Sequence, residues 1–112
     1  MGKLDKYREY ILGIMNEYKN SNMIPRDVDD QLVIDRENDH YLFIRAGWHK
    51  NRRREYGLLF HVDIINDKFW IQHDGTETAV ANQLVEMGVP KQDIVLAYHS
   101  PGKRPFTEFA VG

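Results

Sequence analysis

The chain has 112 residues, 42% of them apolar and 29% charged, a formal net charge of −2 and no cysteine. That length holds one domain, 1–112, and that balance is the composition of an ordinary globular protein rather than a disordered one. It excludes a disulfide framework, a thiolate metal site and a cysteine nucleophile, and it supplies no global basic field for tight non-specific nucleic-acid binding.

The N-terminus, MGKLDKYREY, has neither a signal-peptide apolar core nor the hydroxyl residue of a myristoylation motif at position 6, and no run of residues suits a membrane span. A soluble, cytoplasmic protein is therefore expected. Leu4, Tyr7, Ile11, Ile14, Met15 and Tyr18 recur at three- and four-residue spacing, which predicts an amphipathic first helix. It should stop near Lys19-Asn20-Ser21-Asn22, a cluster of poor helix formers with Pro25 beyond it.

Between Arg26 and Asp39 stand Asp27, Asp29, Asp30, Asp35, Glu37 and Asp39. The spacing lacks the glycine and closing glutamate of a calcium loop, so the expectation is a solvated acidic edge around a short strand at Gln31 to Asp35. Glu37-Asn38-Asp39 reads as a turn. His40 to Trp48 (HYLFIRAGW), apolar on both faces, predicts a central strand. After it His49-Lys50-Asn51-Arg52-Arg53-Arg54 gathers four positive charges without an interleaved aromatic. Such a loop serves either as a solvated strand connection or as a clamp for an acidic partner.

Tyr56 to Ile65 and Lys68 to His73 are β-branched and aromatic runs split by Asn66-Asp67, a hairpin pattern. A two-residue turn pairs Ile65 with Lys68, Ile64 with Phe69, Asp63 with Trp70, Val62 with Ile71 and His61 with Gln72. Phe60, Val62, Ile64, Phe69 and Ile71 then form a core face, opposite His61 and Asp63, with His73 on the core side facing Phe60. Asp74 and Glu77 form a capping-box pattern, with Thr76 as a competing cap, for a second helix from about Thr76 to Met87. That helix ends at Gly88-Val89-Pro90. Ile94 to Tyr98 predicts a buried strand, His99-Ser100-Pro101-Gly102 a turn, and Arg104 to Val111 a last strand docked on the sheet.

The sum is an α+β fold: a mainly antiparallel sheet of five or six strands carrying the two helices on one face. His61, His73, His99 and Asp63 are the one constellation with chemical potential, but the alternation separates His73 from His61. Ser100 sits in HSPG rather than a nucleophile elbow, and the glycines match no phosphate-binding fingerprint. No catalytic, cofactor-binding or metal-ligating residue is assigned, and a non-enzymatic interaction domain is expected. The candidate partner-binding residues are Lys50, Arg52, Arg53, Arg54, Lys103 and Arg104.

The motifs DHYLFIRAGW (39–48), R-x-Y-G (54–57), HVDI-x-x-x-K-x-WIQ (61–72), WIQHDGTE (70–77) and VPKQDIVLAYHSPGKRPFTEFAV (89–111) occur in this order behind a tyrosine-rich helix. In this the chain resembles the XisI family, the controlling factors for excision of the fdxN element in filamentous cyanobacteria. One departure is the hairpin turn, where relatives carry glycine and this chain has Asn66-Asp67. The resemblance implies an accessory role in programmed DNA rearrangement in heterocyst-forming cells. The protein would act beside a site-specific recombinase and a XisH-type partner, itself similar to restriction-type nucleases. It implies no catalytic residues, no cofactor, and only indirect association with DNA through the recombinase; a homo-oligomer is compatible with it. Direct DNA binding by the basic loop and metal-dependent hydrolysis are the alternative readings.

Overall fold

The computed structural model describes residues 2–20 and 28–112. Helix α1 (Lys3–Lys19) leads into strands β1 (Val28–Asp35), β2 (His40–His49), β3 (Arg53–Ile65) and β4 (Lys68–Asp74). Helix α2 (Val80–Glu86) and strand β5 (Ile94–Leu96) follow. The five strands lie in chain order, antiparallel from β1 through β4, with β5 parallel to β4. A parallel neighbour needs a crossover, and α2 provides it. The expected α+β architecture is thus observed, with one strand reversed in sense. Ser21, Asn22, Pro25, Arg26 and Asp27, invoked above for the helix stop and the acidic edge, lie outside the described residues.

One core joins the layers. Tyr7, Ile11, Ile14 and Met15 of α1 pack with Tyr41, Phe43, Phe60, Val62, Ile64, Phe69 and Ile71 of the sheet and with Val80, Ala81 and Leu84 of α2. The five hairpin residues predicted to share the core face do so. At its centre the rings of Phe43 and Phe60 lie 5.5 Å apart, and Tyr18 of α1 lies 5.9 Å from Phe60.

The β3–β4 hairpin begins in the predicted register, from Ile65 opposite Lys68 to Val62 opposite Ile71. Asn66 and Asp67 both have positive φ, 52° and 60°, the condition a two-residue turn imposes on a right-twisted hairpin. Asparagine and aspartate reach it without glycine because their short polar side chains tolerate the left-handed region. Beyond Val62 the register shifts, and His61 faces His73 while Phe60 faces Asp74. The expected pairs of His61 with Gln72 and Phe60 with His73 are therefore corrected: a bulge at Gln72 adds one residue to β4. A second bulge, in β3 opposite the Phe43–Ile44 step of β2, leaves Leu59 unpaired in the ladder. The Leu59 carbonyl instead accepts the Gly75 N–H at 2.7 Å.

Other boundaries also move. Strand β1 is longer than Gln31–Asp35. Arg53 and Arg54 belong to β3 rather than to a loop, because the turn between β2 and β3 closes over residues 50–52, where Lys50 and Asn51 take positive φ. Helix α2 starts four residues later than expected. The Asp74 carboxylate reaches across the intervening loop, accepting the Val80 N–H at 2.7 Å as well as the N–H and hydroxyl of Thr76. Asp74 therefore caps a helix that begins six residues on, and Thr76 supports the cap instead of supplying it. The end of α2 is as predicted: Gly88 has φ 103°, the Val89 N–H bonds the Leu84 carbonyl, and Val89 is buried. Strand β5 stops at Leu96, so Ala97 and Tyr98 lie in the turn. The tail forms no full strand. Ala110 makes a single parallel bridge to Val95, Phe109 packs on the core, and Phe106 stands 90% exposed.

Asp39 departs from the expected solvated acidic edge. It is 8% exposed and accepts two bonds from Arg8 of α1, at 2.8 and 3.0 Å, and one from the buried Tyr41 hydroxyl at 2.9 Å. Burial pushes its carboxyl up, but the bonds from Arg8 and Tyr41 outweigh burial and hold it below the ordinary carboxylate value. The same contacts have the opposite effect on Tyr41, whose hydroxyl burial and the Asp39 carboxylate push up to about 12. A carboxyl lowered in the folded state contributes stability above its unfolded pKa, ~3.9, and that contribution is lost as pH falls through the folded value. Asp39→Asn, whose side chain also suits φ 59°, should lower Tm at pH 7 by about 5 °C and flatten the acid limb below about pH 4. Thermal melts of both proteins from pH 2 to 7 check this; an unchanged acid limb would remove Asp39 from the account.

Candidate interaction face

Both helices bury their apolar stripes against one side of the sheet, and the other side of β1–β3 remains open among the described residues. Strand pairing decides what that side displays. Trp48 of β2 lies opposite Arg54 of β3, Ala46 opposite Tyr56, and Ile44 opposite Leu58, while Val33 of β1 faces Leu42. Trp48 is 50% and Tyr56 71% exposed, and Val33 and Leu58 are exposed as well. The Arg54 guanidinium sits 5.5 Å from the ring centres of both Trp48 and Tyr56, so one cation meets two aromatic rings. The register thus gathers exposed aromatic and aliphatic groups on one sheet face, an arrangement that carries more meaning than apolar residues exposed singly.

The sequence-derived basic residues fall into two groups. Lys50, Arg52, Arg53 and Arg54 are all exposed at the β2–β3 turn and the start of β3, adjoining the Trp48–Tyr56 row. Lys103 is exposed, but Arg104 is engaged within the fold: its Nε donates to the His99 carbonyl at 3.1 Å and its guanidinium lies over the Trp70 ring. Trp70 pairs with Asp63, nine residues along β3 from Arg54, which puts the two groups roughly 30 Å apart along the sheet. They are not one patch. Trp48 and Tyr56 went unremarked in the sequence because they flank the basic run. The signal for them was positional: Tyr56 is two residues from Arg54, and Trp48 is its partner across the hairpin.

A polar cluster lies further along the same face. Asp63, only 7% exposed, uses Oδ1 to meet both His40 Nδ1 and His61 Nε2 at 2.8 Å, while Gln72 Nε2 donates to Oδ2 at 3.3 Å. The hydrogen bond to Asp63 raises the pKa of His40 above its ordinary value. The predicted sharing of a face by His61 and Asp63 is observed, but the expected separation of His73 is corrected. The bulge at Gln72 makes His73 the cross-strand partner of His61, on the same face rather than the core side, although neither it nor His99 is among the atoms that converge on Asp63. The His73 side chain is exposed, with Nε2 beside Gly75, and the His99 ring lies tilted against that of Tyr98. The third member is His40, at the start of β2, brought opposite Asp63 by the β2–β3 register.

A mainly antiparallel sheet with both helices on one side and an aromatic, cation-bearing surface on the other defines a small α+β domain with one open face. The family model described as XisI protein matches residues 1–111, and the chain belongs to the XisI family. Two solved structures agree with it over nearly their whole length. A XisI-like protein from Anabaena variabilis is 37% identical, with a TM-score of 0.88, covering 97% of this chain and 99% of that one. The fdxN element excision controlling factor XisI from Anabaena variabilis is 38% identical, with a TM-score of 0.82, covering 99% and 100%. No curated protein matches the chain in sequence. No helix of the described residues is long and apolar enough to cross a membrane.

Proposed function

We propose that the protein is a non-enzymatic controlling factor for programmed excision of a DNA element, acting in the cytoplasm by binding a XisH-type, nuclease-like partner beside a recombinase. Family membership and the likeness to an excision controlling factor support the element-excision part of this reading. The observation that carries the protein-binding part is the open face with Trp48, Arg54 and Tyr56 at its centre. Large aromatic groups with an arginine are the side chains that dominate interface energetics, because they bury much area at little entropic cost. The neighbouring Lys50, Arg52 and Arg53 would steer an acidic partner surface toward that centre. The chain's net charge of −2 weighs against tight direct DNA contact.

Co-expression with the XisH-type protein tests the reading. A complex that survives gel filtration is expected, and in it Arg52→Glu with Arg53→Glu should slow association about tenfold at low salt, with the difference shrinking as salt rises. Lys103→Glu, on the distant side, should leave association unchanged. Separate elution of the two proteins at micromolar concentration would overturn the proposal. A DNA mobility shift by the isolated chain, with a steep salt slope, would move the assignment to the direct-binding alternative.

A further inference from the structure

We infer that His40, His61 and Asp63 form a binding site for one divalent ion of the zinc class on the open sheet face, independent of the partner reading above. The three donor atoms, one from each residue, all lie within 4.8 Å of one another. Among the described residues they are the one such convergence of histidine and carboxylate groups. Their positions are set by the sheet and not by a loop. His61 precedes Asp63 by two on β3, so alternation puts both side chains on the same surface, and His40 is the direct cross-strand neighbour of Asp63. Gln72 holds the second carboxylate oxygen, so Oδ1 is the atom turned toward both rings. Orientation of a ligating carboxylate by such an outer hydrogen bond is common at metal centres.

The donor set selects the ion. Two imidazole nitrogens and one carboxylate oxygen suit zinc and its first-row neighbours, whereas calcium and magnesium take oxygen ligands almost exclusively. Ligand distances of about 2.0–2.2 Å around a tetrahedral centre place donor atoms about 3.4 Å apart. The two 2.8 Å contacts must therefore open by about half an ångström, with the imidazoles drawing around the ion. The His40 side chain, half exposed, has room to make that adjustment. Each neutral imidazole presents an unprotonated nitrogen to the ion and keeps its proton on the other, His40 Nε2 and His61 Nδ1, so the change is one of tautomer. Asp35, opposite His40 across the β1–β2 ladder, adds negative charge beside the site. Three protein ligands leave the fourth position facing solvent on the surface that also carries Trp48 and Tyr56.

Metal-stripped protein titrated with Zn²⁺ in a calorimeter, and with Co²⁺ by visible absorption, tests the assignment. One ion per chain is expected, with a rise in Tm on adding Zn²⁺. His61→Ala and His40→Ala should each weaken binding by at least about tenfold and abolish the Tm rise, while His49→Ala and His99→Ala keep both. His40 is exposed, so its variant should melt near the wild-type temperature without metal and serves as the folded control. Well under one equivalent bound by the wild type, or wild-type affinity in the His40 and His61 variants, would overturn the proposal. Loss of binding in His49→Ala or His99→Ala instead would also overturn it, by placing the ion elsewhere.

Discussion

Phe60→Ala is expected to cost about 3–5 kcal/mol, the largest stability loss of any prediction made for this chain. Phe60 is fully buried where β2, β3 and α1 meet, with Phe43 5.5 Å and Tyr18 5.9 Å away, centre to centre. Truncation removes the apolar transfer term and leaves a void walled by aromatic rings held on different elements, which cannot all collapse into it. Domains of this size hold about 5–15 kcal/mol in total, so the variant would be marginal, with Tm lowered by on the order of 15–25 °C. Phe106→Ala is the matched comparison: the same residue type at 90% exposure should shift stability by no more than about 0.5 kcal/mol. Urea unfolding of the two variants reads the difference directly, and similar costs for both would contradict the placement of the core.

The second large effect concerns binding. Trp48→Ala with Tyr56→Ala should weaken the proposed complex with a XisH-type partner by about 100-fold or more, since aromatic residues at an interface centre contribute about 2 kcal/mol each. Both side chains are exposed and neither belongs to the core cluster, so Tm should change little. That combination separates a binding surface from a structural one. The loss should appear mainly in the dissociation rate, in contrast to the charge variants of the β2–β3 turn, which act on association. Calorimetry and kinetic titration of the double variant provide the check. Unchanged affinity would take the aromatic row out of the interface and leave the partner to another side of the molecule.

What the sequence made legible was whatever periodicity controls. The stripe from Leu4 to Tyr18 gives α1, and the alternation through Phe60, Val62 and Ile64 gives the core face. Gly88-Val89-Pro90 gives the end of α2, because each of these residues acts through its own backbone or its own face. The departures arise where a distant group decides. Asp39 looks like one more surface acid until Arg8, 31 residues earlier, bonds it. Helix α2 starts late because Asp74 can reach Val80 across a loop, which no capping pattern of fixed spacing encodes. Phe106 is apolar yet exposed, since the tail is held at Ala110 and Phe109 on one side and by Arg104 on Trp70 on the other. His40 joins Asp63 only through the β2–β3 register, a quantity that depends on the turn at residues 50–52 and on every irregularity between it and the site.

The extra residue at Leu59 resets the phase of β3. Counting by twos back from Ile64, Val62 and Phe60 would send Leu58, Tyr56 and Arg54 inward, toward the helices. With Leu59 inserted they emerge outward, beside Trp48 and on the same side as His61 and Asp63. The same offset slides His40 from Val62 to Asp63 as its opposite number. One unpaired leucine, its carbonyl tethered by the Gly75 N–H, thus joins two half-strands of opposite phase into a single display.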